Sequence, residues 1–169
     1  MPIIELEDCN MPKKAAAVLF MGIFLVFSME AAMVSFVIIE TGLPEDGGKI
    51  EHSRHWEDAI FDVFFDAGHI VSNAPMMRLD SKPTDEIQKL TAEDIFEARM
   101  GGADYFIIAQ LDYFSDVPKL NEISFIMYRI SPYKKIHEKR VSGKTYKTQK
   151  EEVEDLKLIA RGLIPLIKN

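Results

Sequence analysis

The chain has 169 residues, 47% of them hydrophobic and 28% charged, a balance too apolar for a disordered protein. Its net charge of −7 excludes an ordinary nucleic-acid binder, which needs a basic surface to displace counterions from phosphates, and gives no reason for docking on an anionic membrane. A single cysteine, Cys9, excludes an internal disulfide and any cysteine-based zinc site.

Lys13 and Lys14 precede an unbroken apolar run from Ala15 to Phe27, followed by Ser28-Met29-Glu30-Ala31-Ala32. A basic region followed by a core shorter than the roughly 20 residues of a membrane span has the pattern of a secretory signal over residues 1–32. Cleavage is expected after Ser28, Ala31 or Ala32. Glu5, Glu7 and Asp8 are out of place ahead of the lysines, whereas Met11-Pro12-Lys13-Lys14 forms a compact basic start. The expected true start is therefore Met11. The alternative is an uncleaved N-terminal anchor, which would be the chain's one membrane attachment.

Residues 33–169 then form one expected α/β domain. Met33 to Glu40 is β-branched and short, the pattern of a buried strand. Ser53 is placed to cap a helix from about Arg54 to Ala67, with Trp56, Ile60, Phe61, Phe64 and Phe65 at helical spacing and Gly68 as its terminator. Asp58, Asp62 and Asp66 repeat every fourth residue along one solvent stripe. Residues 69–74 suit a short strand ended by Pro75. Thr84 opens a helical segment bearing Ile87, Leu90, Ile95 and Phe96, in which Thr91-Ala92-Glu93-Asp94 resembles a fresh capping signal and divides it into two short helices. Asp104 to Ser115 is the strongest strand, broken by Pro118. Asn121 to Ile130 alternates and pairs with it as an antiparallel hairpin. Ile136 to Val141 is a polar edge strand, and Thr148 starts a last helix with Val153, Leu156, Ile159, Ala160, Leu163 and Ile164 inward. The order β-α-β-α-β-β-β-α predicts an α+β fold: a mixed sheet of about four to five strands with helices packed on it.

The segment Ala98-Arg99-Met100-Gly101-Gly102-Ala103-Asp104-Tyr105-Phe106-Ile107-Ile108-Ala109-Gln110-Leu111 resembles the "helix, Gly-Ala-Asp-Tyr, apolar strand" signature of periplasmic domains related to the TolB N-terminal domain. That group includes the CsgG curli-secretion lipoprotein and outer-membrane activators of penicillin-binding proteins. Gly68-His69-Ile70-Val71 stands where those domains close on a Gly-hydrophobic-Val turn. The resemblance would span residues 33–168 and implies an envelope adaptor or assembly component. The chain departs from it in lacking a lipid-bearing cysteine after the signal, and in carrying Ala109-Gln110 where a glycine is frequent.

No Gly-rich phosphate loop and no nucleophile elbow is present, so no cofactor and no enzymatic activity is expected. Tyr133, Lys134, Lys135, Lys139 and Arg140 form the one basic segment and interleave an aromatic with cations. They are candidate contacts for another envelope protein, and equally the lysines of a protected sheet edge. His52, His55 and Asp58 share a helical face and form the alternative, a metal- or ligand-binding site. Self-association through an exposed sheet edge is a third possibility.

Overall fold

The computed structural model describes residues 31–42, 50–80, 87–114 and 117–167, with no account of the side chains of residues 50–53, 114 and 117–119. The export signal expected over residues 1–32 lies almost wholly outside these residues.

The described chain runs β1 (Met33–Thr41), α1 (Ile50–Asp66), β2 (Ile70–Asn73), β3 (Met77–Leu79), α2 (Ile87–Leu90), α3 (Ala92–Met100), β4 (Tyr105–Phe114), β5 (Val117–Arg129), β6 (Lys134–Ser142) and α4 (Gln149–Arg161), ending in a 3₁₀ turn at Ile164–Leu166. The fold is a mixed α+β one: a six-stranded sheet ordered β2-β1-β4-β5-β6, with β3 also paired to β1. β1 runs parallel to β2, β3 and β4. β4, β5 and β6 form the expected antiparallel meander, with β6 at one edge.

Strands buried on both faces should read as continuous apolar runs, and β1 and β4 do. One core face joins Val34, Phe36, Ile38, Ile107, Leu111, Ile123, Phe125 and Met127 to Trp56, Ile60 and Phe64 of α1 and Leu156 and Leu163 in and just beyond α4. The opposite face joins Val37, Ile39, Phe106, Ile108, Ile126, Tyr128 and Ile130 to Ile87 of α2. α3 covers this second face lightly. It buries no residue fully, and Ile95 and Ala98 reach the core only in part.

The Gly-Ala-Asp segment has a visible task. The carboxylate of Asp104 accepts from the Met33 amide at 2.9 Å, its own amide donates to the Met33 carbonyl at 2.8 Å, and its carbonyl accepts from the Ile130 amide at 2.8 Å. One residue thus fixes the starts of β1 and β4 against the end of β5.

Five details differ from the sequence expectations. α1 begins upstream of Ser53, which lies inside the helix instead of capping it. Phe61 and Phe65 are exposed, because Ala59 and Val63 complete the inward face with Trp56, Ile60 and Phe64. Thr91 does start α3, but its hydroxyl donates to the Ile87 carbonyl at 2.8 Å and caps no amide. Pro118 lies within β5, near the β4–β5 turn where the register shifts and a missing donor is tolerated. β3 is an unexpected sixth strand.

The last helix starts as expected. The Thr148 hydroxyl accepts from the Glu151 amide at 3.3 Å, and the Glu151 carboxylate accepts from the Lys147 amide at 3.0 Å. Thr148→Ala should cost about 1 kcal/mol in urea denaturation and Thr148→Asp close to nothing. Equal losses in the two variants would show that the cap adds no stability.

Candidate functional site

The turn from β5 to β6, Ile130-Ser131-Pro132-Tyr133, projects beside α3 with the Ser131–Pro132 bond cis. Tyr133 stacks on Tyr128, with centroids 5.3 Å apart and planes at 3°. Tyr128 is itself buried, and its hydroxyl accepts from Gln88 Nε2 at 3.2 Å. A chain of contacts from α2 therefore holds a surface tyrosine rigid while leaving it 50% exposed. Partial burial, and then the neighbouring Tyr128, raise the Tyr133 pKa above its ordinary value.

Between this turn and α3 lies a groove of about 450 Å³, lined by Gln88, Ala92, Ile95, Phe96, Arg99, Ile130 and Tyr133. Phe96 is 62% exposed on its wall, and Met100, one helical turn on, is also exposed. Arg99 is the cation of the lining and has no ion pair among the described residues. Two exposed aromatics around an apolar floor, with one guanidinium and one amide, make a surface suited to an apolar side chain and a carboxylate from a protein partner.

The five candidate contact residues divide between the two faces of the sheet. Tyr133 lines the groove. Lys135 and Arg140 stand opposite Tyr128 and Ser124, on the groove's face, and both pair with Glu138, at 2.8 and 3.1 Å. Hydrogen bonds from Lys135 and then Arg140 hold the Glu138 carboxyl below the usual range. Lys134 and Lys139 stand opposite Arg129 and Phe125, on the other face. There Lys134 lines a smaller cavity of about 300 Å³ with Arg129, Pro132, Ile136 and Leu166. Phe96, Arg99 and Gln88 are not among the contacts expected from sequence. For Phe96 the signal that could have found it is its spacing from Met100, four apart on a short helix whose Ile95 and Ala98 turn toward the core.

For the metal alternative, the side chain of His52 lies outside the described residues. His55 is half-buried and Asp58 exposed on α1. Among the described residues no group of three or more His, Cys, Asp or Glu is placed to hold a metal ion.

Two other features stand apart from the groove. Glu40, at 1% exposure, accepts from Arg78 Nε at 3.0 Å, which ties β1 to β3. Close by, burial and then Glu40 and Glu152 push the Tyr113 hydroxyl above its ordinary pKa. On α1, Phe61 and Phe65 stack at 6.0 Å and 19°, beside the exposed Asp58, Asp62 and Asp66.

Residues 45–126 match the model of a family described only as an uncharacterised protein. No curated protein is significantly similar to the chain. Among solved structures, the PelC dodecamer from Paraburkholderia phytofirmans is 17% identical, with a TM-score of 0.49, over 82% of this chain and 89% of that one. A lipoprotein from Neisseria meningitidis is 9% identical, with a TM-score of 0.43, over 80% of this chain and 99% of that one. Likenesses of this size say nothing about chemistry at the groove. Among the described residues no helix is long and apolar enough to cross a membrane.

Proposed function

We propose that the chain is a non-catalytic protein of the cell envelope that works by protein binding or assembly, through the groove between α3 and the β5–β6 turn. The observation that carries this reading is the exposed pair Tyr133, braced by its stack on Tyr128, and Phe96 over an apolar floor. Buried supports behind exposed aromatic anchors are the anatomy of an interaction surface. No nucleophile and no acid–base pair lines the groove, whose polar members are Gln88, Arg99 and the Tyr133 hydroxyl. The envelope location rests on Lys13-Lys14 and the apolar run after them. The kinship with TolB-related domains is part of the same reading, supported by the bracing position of Asp104.

A photoreactive phenylalanine analogue placed at Phe96 tests it. Irradiation in the producing cell is expected to give a covalent adduct with a polypeptide, identified by mass spectrometry. Labelling that yields no protein adduct would overturn the reading.

A further inference from the structure

The molecule carries two exposed aromatic surfaces, and they lie on opposite faces of the sheet. One is the groove, built on the face of Phe106, Ile126 and Tyr128. The other is the outer stripe of α1, a helix that packs on the face of Phe36, Ile38 and Phe125. Phe61 and Phe65 stand four residues apart on it, 39% and 63% exposed and stacked on each other. Helical geometry sets Asp58 and Asp62 on the flank next to them, with Asp66 continuing that flank. All three are exposed. Asp62 is already paired with Lys157 of α4 at 2.8 Å.

We infer that the occupant of the groove is α1 of a second copy of this chain, an inference that rests on the groove being a protein-binding surface. Two observations select this occupant. The first is form: an exposed helical stripe with aromatic anchors four apart is what a groove walled by Phe96 and Tyr133 accepts, the helix-in-groove mode of recognition. The second is charge. The stripe carries Asp58 and Asp66 without ion pairs among the described residues, and the groove's lining carries Arg99, also without one, whereas Lys135 and Arg140 on the same face are already paired with Glu138. Glu93 and Glu97 of α3 project from the flank of that helix away from Ala92, Ile95 and Arg99.

The two surfaces are different and face opposite ways, so the contact is heterologous. Each copy offers its stripe to one neighbour and its groove to the other. Such a contact gives a closed ring or an open filament, never a self-complementary dimer.

Sedimentation velocity on the full chain across a concentration series tests this, with two double variants of exposed residues, Phe61→Ser/Phe65→Ser and Phe96→Ser/Tyr133→Ser, whose folding is confirmed by circular dichroism. The wild type is expected to form species larger than a dimer. Each double variant should associate at least tenfold more weakly. An equimolar mixture of the two should form a one-to-one heterodimer and stop there, because one intact stripe meets one intact groove and nothing remains to extend it. Arg99→Glu alone should weaken wild-type association, and adding Asp58→Lys/Asp66→Lys to it should restore part of the loss. A wild type that stops at a dimer, association that survives both double variants, or a mixture that stays monomeric would each overturn the assignment. A Phe96 photo-adduct with a different polypeptide would also overturn it while leaving the binding reading intact. No protein adduct at all would overturn both.

Discussion

Trp56→Ala should lower the unfolding free energy by about 3–5 kcal/mol, enough to drop the melting temperature by roughly 10 °C or more. Trp56 is fully buried on α1, in the core that β1, β4 and β5 share with α4. Its removal takes away a large apolar surface and leaves a cavity that a helix pinned to α4 through Lys157 and Asp62 closes only in part. Trp56→Phe separates two contributions. The indole Nε1 is buried without a hydrogen-bond partner among the described residues, an arrangement that costs about 1–3 kcal/mol. Phenylalanine removes the orphan donor while keeping most of the ring, so its net loss should stay under about 1.5 kcal/mol. Urea denaturation followed by circular dichroism measures both, since Trp56 is the only tryptophan and its fluorescence vanishes with it. A loss for Trp56→Phe well above that bound would show that the unpaired donor is not a cost.

Gly42→Ala should destabilise by about 2–5 kcal/mol, from two additive causes. Gly42 follows β1 with φ +77°, which costs an L-residue about 1–2 kcal/mol. An added Cβ would also overlap the carbonyl oxygen of Tyr113, a backbone atom of the neighbouring β4 that moves only if the strand end moves. Overpacking of this kind costs about 1–3 kcal/mol more. Gly68 supplies the control. It has φ +85° but open space where a methyl group would sit, so Gly68→Ala should show the conformational cost alone. The difference between the two variants in thermal and urea melts isolates the overlap. If the two lose equally, the end of β4 yields without cost.

What the sequence made legible was decided by locality. β1 and β4 announce themselves through apolar runs, and the β4–β5 hairpin through alternation, because those signals lie within each segment. Thr148 and Gly68 were legible for the same reason, since caps act on their own helix. β3 was not, because Met77-Arg78-Leu79 becomes a strand only by pairing with Ile39–Thr41. The Arg78–Glu40 pair beside it joins positions far apart in sequence and carries no local mark. The site was half legible. Tyr133 stood out as an aromatic among cations, yet its supports, Tyr128 and Gln88, and its opposite wall, Phe96, arrive from other elements. The outward turn of Phe61 and Phe65 was hidden because helical spacing shows that apolar residues share a helix, and only packing decides which of them are covered.

The placing of β1 has a consequence in time. It pairs with β2 and β3 on one side and β4 on the other, and its bonds to Asp104 and Asp112 each span 71 residues. The meander of β4, β5 and β6 closes through short turns and has little chain entropy to overcome. β1 emerges from the ribosome ahead of its partners, and its pairing with β4 must wait for residues beyond Asp104. Until then Val34-Ser35-Phe36-Val37-Ile38-Ile39 is an uncharged, β-prone run with both edges unsatisfied, which is the signature of an aggregation-prone segment. A strand paired on both edges in the finished sheet is thus, in the growing chain, a segment open to aggregation until its partners arrive.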